Sequence, residues 1–125
     1  MEEDLEFDFE RLEVYKLALE FLDFIFMVCK DIPRDLEYCL GDNLKRAGIS
    51  ISNNIAEGSG KKSGREKARY YGISLDSARE CVNMFIILNR RQAVNKEDYL
   101  KARSYGKRLT SMLFKLIAST NNGKQ

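Results

Sequence analysis

The sequence contains no histidine among its 125 residues. This absence removes the commonest general base and the commonest neutral metal ligand of proteins. The carboxylates do not compensate, because they cluster near the start of the chain and form no Glu-x-x-His pairs of the kind found in di-iron bundles. Neither Ser50 nor Ser52 has a partner base near it in the sequence. We therefore expect no catalytic residues, no metal and no cofactor.

Long apolar runs and paired cysteines are also missing. The longest apolar candidate, residues 21–29, is interrupted by Asp23 and is shorter than the roughly twenty residues that a membrane-spanning helix needs. The acidic N-terminus lacks the basic-then-apolar order of a signal peptide, so we expect a cytoplasmic protein without membrane contact. The three cysteines show no Cys-x-x-Cys spacing, which predicts reduced packing residues; they are Cys29, Cys39 and Cys81.

Charge is nearly balanced over the chain but unevenly distributed along it. Residues 1–40 contain twelve acidic and four basic side chains, a net charge of −8. Because the whole chain carries +2, the remainder carries +10. This asymmetry indicates either a subunit with two differently charged ends or an acidic arm beside a basic surface. The alternative is that these charges only solvate exposed helix faces.

Local signals divide the sequence into four helices. Pro33 ends the first, Gly58 ends the second in a left-handed cap, Ser63 opens the third in a capping box with Glu66, and Asn95 caps the fourth. The predicted helices are 10–32, 36–57 or 38–57, 64–91 and 96–118. Short loops make sequential helices antiparallel, so the expected fold is all-α, a single up-down-up-down four-helix bundle. Residues 1–9 are then an acidic arm, 10–118 the bundle and 119–125 a frayed polar tail.

The first helix carries two apolar seams, each with residues three and four apart. One contains Leu12, Tyr15, Leu19, Leu22, Phe26 and Cys29; the other contains Val14, Leu17, Phe21, Phe24 and Val28. Only one seam can face the core of a lone bundle. We assign the aromatic-rich second seam, Val14 to Val28, to an exposed patch that forms an oligomer interface.

A polar stripe follows the second helix. Arg46, Ser50, Asn53 and Glu57 lie four, three and four residues apart, and Asn54 occupies a position on the apolar seam. One interpretation is interhelical hydrogen bonding that fixes helix register. The other is ligand recognition.

Basic residues cluster after the second helix. The glycine-rich turn at 58–65 does not match a Walker loop, because Ile55 stands where glycine is required and a helix precedes it. Its cations and free helix amides nevertheless suit anion contact. Cations on the last helix repeat every seven residues, which predicts a basic belt that neutralises phosphates without base-specific contacts. The predicted nucleic-acid-binding residues are Lys45, Arg46, Lys61, Lys62, Arg65, Arg69, Lys101, Arg103, Lys107, Arg108 and Lys115.

One stretch of the second helix resembles a family signature. It reads Leu44-Lys45-Arg46-Ala47, Ser50-Ile51 and Asn54-Ile55-Ala56-Glu57-Gly58, followed by Gly60 and Lys61. With residues 9–14 and 77–80, it is similar to the small bacterial four-helix-bundle proteins encoded by intervening sequences of large-subunit ribosomal RNA genes. That family is related to the accessory variability determinants of diversity-generating retroelements. Ser52 departs from the family pattern, which often has proline there.

The resemblance implies function more loosely than fold. It gives structural roles to Ser50, Asn54, Glu57, Gly58 and Gly60, and it implies a ring-shaped homopentamer. The retroelement relatives associate with a reverse transcriptase and its RNA template. We therefore expect a non-enzymatic, oligomeric accessory protein that binds RNA or DNA. The competing hypotheses are a protein–protein scaffold without nucleic acid and an enzyme working through Ser50, Asn54 and Glu57.

Overall fold

The computed structural model describes the backbone of residues 2–122 and the side chains of residues 4–120. Two 3-10 turns, Glu2–Leu5 and Asp8–Arg11, precede helix α1 at Glu13–Cys29. A single α-helical turn at Arg34–Leu36 and a π-helical turn at Glu37–Gly41 lead into α2 at Asp42–Ser59. The last two helices are α3 at Gly64–Arg90 and α4 at Lys96–Asn122.

The four long helices form the predicted bundle. α1 packs on α2 and α4, α2 packs on α3, and α3 packs on α4. Each helix therefore lies at one corner of a square, next to its neighbours in the chain, so the all-α antiparallel four-helix fold is confirmed. None of the described helices has the length and hydrophobicity that a membrane span requires.

The centre of the bundle is aromatic. The Phe21 ring lies 5.1 Å from the Tyr105 ring of α4 and 6.2 Å from the Phe85 ring of α3. Phe24 contacts the same two rings at 5.5 and 5.9 Å. Because each fully buried phenylalanine contributes about 1.5–3 kcal/mol of apolar burial, this cluster is a major source of stability.

This packing corrects the interface prediction. The five residues assigned to an exposed seam, Val14, Leu17, Phe21, Phe24 and Val28, are all buried inside a single chain. They are core residues, because their seam points at α3 and α4. The other seam runs along the edge between α1 and α2, where Leu19 and Phe26 remain 38% and 44% exposed.

Two helix caps agree with the sequence and one does not. The Glu66 N–H donates to the Ser63 hydroxyl at 3.1 Å, and the Asp98 N–H donates to the Asn95 side-chain oxygen at 2.7 Å. No glycine in the described chain has a positive φ, so the left-handed cap predicted at Gly58 is wrong. The left-handed residue is Gln92, at φ 58°, in the turn that ends α3.

The C-terminal end also differs from the prediction. α4 continues to Asn122, and Thr120 is buried, so residues 119–122 are helical and not frayed; residues 123–125 lie outside the described part. At the other end the acidic arm is folded against the bundle, with the Phe9 ring 5.1 Å from the Tyr15 ring.

Candidate nucleic-acid interface

Hydrogen bonds between α2 and α3 account for part of the polar stripe. The Ser77 hydroxyl donates to the Ser50 hydroxyl at 2.8 Å, and the buried Ser74 hydroxyl donates to the Ile51 carbonyl at 2.8 Å. Asn54 donates to the Ser50 carbonyl and hydroxyl, at 2.8 and 3.0 Å, within its own helix. Interhelical hydrogen bonding therefore accounts for Ser50, and Asn54 adds hydrogen bonds to Ser50 from within α2.

The remainder of the stripe faces solvent. Arg46, Asn53 and Glu57 are exposed, whereas Ser50 is half-buried. The motif glycines differ from each other. Gly58 is buried, and a β-carbon there would lie 2.8 Å from the Tyr71 ring, whereas at Gly60 it would make only an ordinary contact with the Glu57 carbonyl, at 3.7 Å. Gly58 is thus needed for close contact between α2 and α3.

The turn between α2 and α3 carries cations stacked on one aromatic ring. The Lys61 ammonium and the Arg69 guanidinium each lie 4.9 Å from the centre of the Tyr70 ring. Lys62 and Arg65 are exposed beside them. This turn therefore gathers the four predicted cations at one end of the bundle.

The cations of α4 are split between two faces of the helix. Lys101 lies 5.7 Å from the Phe24 ring of α1, and Lys115 lines a cleft with Val14 of α1 and with Leu12, the residue before that helix. The seven-residue spacing places Arg108 between these two lysines on the same face. Arg103 and Lys107 instead face α3. The single belt predicted from the sequence is therefore two stripes.

A groove lies between α3 and α4 on the outside of the bundle. Its volume is about 420 Å³, and three cations line it: Arg79, Arg103 and Lys107. The other lining residues are Val82, Asn83, Ile86, Gly106, Thr110 and Phe114. A β-carbon at Gly106 would collide with Val82, so this glycine lets the two helices approach closely. Phe114 is 59% exposed at the rim.

Salt bridges separate the basic residues into two classes. The ion pairs within the described side chains all belong to Arg11, Lys16 and Lys45, and the cations of α3 and α4 have none. Lys45 is half-buried and lies 3.1 Å from Glu37, and that hydrogen bond raises its pKa. Lys45 is therefore a structural residue and is not carried into the proposed interface.

Sequence reasoning missed Arg79, Asn83 and Phe114. Arg79 was assigned only to the family motif, because it stands apart from the other cations along the chain. Phe114 lies outside the buried apolar seam of α4, which Ala102, Leu109 and Leu113 form. It comes seven residues after Lys107 and eleven after Arg103. That spacing places it on the face of these two cations, so an off-seam aromatic was the signal that could have located the groove.

The two buried thiols offer no reactive group. Burial, with a smaller contribution from Glu37, raises the pKa of Cys29 from 9.0 to about 11. Burial and then the charge of Glu80 raise that of Cys81 to about 12. Both thiols stay protonated at neutral pH and pack in the core, whereas Cys39 is exposed and contradicts its predicted packing role. The described side chains include no group of three or more potential metal ligands.

Comparisons with known proteins place the chain in a family. The model of the 23S rRNA-intervening sequence protein family matches residues 10–115. A crystal structure of a protein of unknown function from the S23 ribosomal protein family, from Bacteroides thetaiotaomicron, is similar with a TM-score of 0.77 at 24% identity. The similarity covers 83% of this chain and 97% of that one, and at this identity it shows the fold alone. The search of curated proteins found no match. Because the family model matches well over half of the chain, the chain belongs to the 23S rRNA-intervening sequence protein family.

Proposed function

We propose that this protein is a non-enzymatic, cytoplasmic RNA-binding protein that works as a homo-oligomer. The observation that carries the proposal is the set of cations on α3 and α4 that lack a carboxylate partner within the described residues. From Tyr99 to Asn122, α4 carries five cations and no acidic residue. Unpaired surface cations of this density attract a phosphate backbone.

The groove supports a specific mode of contact. In this mode the groove cations Arg79, Arg103 and Lys107 hold phosphates, and a base stacks on the exposed Phe114 ring. Neither contact reads a base edge, so binding is expected to be insensitive to sequence. Stacking on an aromatic ring requires an unpaired base, which favours single-stranded RNA over duplex DNA.

Further cations extend the interface toward one end of the bundle. Arg65 and Arg69 lie on the outward side of α3, together with the turn lysines Lys61 and Lys62. On the opposite flank of α4, Lys101, Arg108 and Lys115 form the second stripe. Arg46 is exposed on α2 and stands apart from both groups.

The apolar surface that stays exposed on α1 and α2 is a separate observation in favour of assembly. Leu19 and Phe26 are exposed on α1, and Ile49 is exposed on α2 next to Gly48, which packs against Leu22. Side chains of this size gathered at one helix–helix edge are typical of an interface. The number five comes from the resemblance to ring-shaped relatives, and a ring would repeat both cationic stripes around its surface. The same resemblance supports a reverse transcriptase and its RNA as partners.

A protein–protein scaffold is the second candidate. The acidic arm exposes two apolar side chains, Leu5 at 79% and Phe7 at 63%, which favours contact with another protein surface. In that case the cations would serve a protein partner and not RNA.

A salt titration distinguishes the two candidates. For single-stranded RNA, the log–log slope of affinity against salt should be about −0.7 for each phosphate neutralised. The variant Lys61→Ala/Lys62→Ala/Arg65→Ala should bind more weakly by a similar factor on every RNA sequence tested, with its helical spectrum unchanged. Absence of RNA and DNA binding by the wild-type chain at low salt would leave the scaffold function in its place.

A further inference from the structure

The N-terminal arm combines negative charge with exposed apolar side chains. Residues 4–8 alternate acidic and apolar: Asp4, Leu5, Glu6, Phe7 and Asp8. Leu5 and Phe7 are the exposed apolar members noted above. Glu6 pairs with Arg11 at 3.3 Å, but Asp4 and Asp8 form no ion pair with any described side chain. The arm therefore presents two free carboxylates and two large apolar groups on one short segment.

The groove between α3 and α4 has the complementary composition. Its three cations have no carboxylate partner, and no acidic residue lines it. Half-buried Val82 and Ile86 give it an apolar floor, and the Phe114 ring stands at its rim. The positive charge of the groove thus complements the negative charge of the arm, and its apolar floor suits the apolar side chains of the arm. This complementarity favours a specific pairing of the two surfaces.

The two surfaces lie on opposite sides of one subunit. The arm is held at the α1–α2 edge, where the Phe9 ring contacts Tyr15 and the turn at Asp8–Arg11 packs on α2. The groove is on the α3–α4 edge across the bundle. An arm anchored in this way cannot reach the groove of its own chain, so the pairing must join two copies head to tail. Head-to-tail contacts close into a ring when the rotation between subunits permits it.

We propose that the arm of one subunit occupies the α3–α4 groove of a neighbouring copy. The Asp4 and Asp8 carboxylates meet the groove cations, and Leu5 and Phe7 cover its apolar floor. Because RNA would use the same cations, the arm also competes with RNA for the groove. This second consequence rests on the proposed function; the contact between copies does not.

A charge exchange tests the contact directly. Two variants place like charges opposite each other. The arm variant is Asp4→Lys/Asp8→Lys, and the groove variant is Arg79→Glu/Lys107→Glu. Each should weaken self-association, measured by sedimentation, by about tenfold or more. Combining the four substitutions restores opposite charges and should return the association constant to within about threefold of wild type.

A matched control separates the contact from net charge. Asp31→Lys/Asp35→Lys makes the same change in charge at exposed positions outside the arm and should leave association unchanged. The proposal is overturned if the arm variant assembles like wild type, if the combined variant is weaker than either parent, or if the wild-type chain is a monomer at about 100 μM, a concentration at which specific assemblies form.

RNA binding by the neutral arm variant Asp4→Asn/Asp8→Asn tests the competition. It should bind single-stranded RNA about threefold more tightly than wild type, because the groove is vacated. Equal affinity would overturn the competition. If neither protein binds RNA but the charge exchange restores assembly, the proposed function fails and the contact between copies stands. If RNA binds and the exchange restores nothing, only the contact fails.

Discussion

The α3–α4 groove allows a quantitative test of RNA binding. The variant Arg79→Ala/Arg103→Ala/Lys107→Ala removes its three cations at once. None has a carboxylate partner in the described structure, so no acidic group loses an ion pair. Among the described side chains, the contacts that disappear are the exposed hydrogen bond from Arg103 to the Tyr99 hydroxyl, at 2.8 Å, and the approach of the same guanidinium to the Tyr99 ring, at 5.5 Å. The fold should therefore survive the triple substitution.

The expected magnitude follows from the number of cations. If each contacts one phosphate of a single strand, the log–log slope against salt becomes shallower by about 2, at roughly 0.7 per contact. When the salt is raised fourfold, from about 50 to about 200 mM, the affinity for RNA should then fall in both proteins, and the factor by which it falls should be about 20 times larger for the wild type than for the variant. A shallower slope is more diagnostic than a weaker affinity, because it counts the phosphates that are released.

Fluorescence anisotropy with a labelled uridine homopolymer measures both slopes. The matched control is Arg11→Ala/Lys16→Ala/Lys45→Ala, which makes the same change in net charge. Each of these cations has a carboxylate partner, at 3.3, 3.6 and 3.1 Å respectively, so the slope should remain that of wild type. Equal changes in both variants would show that net charge, and not the groove, governs binding. A wild-type slope in the groove variant would show that RNA does not contact it.

Three further predictions concern stability. Phe21→Ala should cost about 3–5 kcal/mol in urea unfolding, whereas Leu19→Ala, at a partly exposed position, should cost about 1 kcal/mol or less; similar losses would contradict the seam assignment. Ser50→Ala should cost about 1–3 kcal/mol, and adding Ser77→Ala should cost little more, because the two residues share one hydrogen bond. Cys81 has a folded pKa of about 12 against an ordinary 9.0. Its contribution to stability is complete below pH 9 and should fall as the pH rises further, by up to about 1.4 kcal/mol per pH unit, and Cys81→Ala should remove that part of the slope.

Local chemistry was predictable from the sequence where one residue decides the outcome. The caps at Ser63 and Asn95 depend on a side-chain oxygen and an amide three residues later, and both formed. The position of the left-handed residue was not predicted, because a glycine was expected to adopt that conformation, at Gly58, whereas the chain uses Gln92 at the end of α3. Its position is set by the hydrogen bond from the Ala93 N–H to the Leu88 carbonyl, at 2.9 Å, which closes the end of α3.

The orientation of α1 was not predictable from spacing alone. Both of its seams alternate three and four residues, so either satisfies the helical period. The choice depends on what the other helices place opposite. Phe85 and Tyr105 supply aromatic partners for Phe21 and Phe24, whereas α2 presents Gly48 to the other seam. A glycine accepts the Leu22 side chain closely but does not extend over the outer residues of that seam, so Leu19 and Phe26 stay exposed.

Whether a cation is free to bind a phosphate also depends on the fold and cannot be read from the sequence alone. Lys45 and Lys107 are equivalent in a list of charges, yet the π-helical turn before α2 brings Glu37 to Lys45, and nothing acidic approaches Lys107 in the described structure. A neutralised cation attracts a phosphate weakly, because its partner must first be displaced. The surface available to RNA, or to the acidic arm of a second copy, is therefore defined by the absence of carboxylates from the lining of the α3–α4 groove as much as by the cations there.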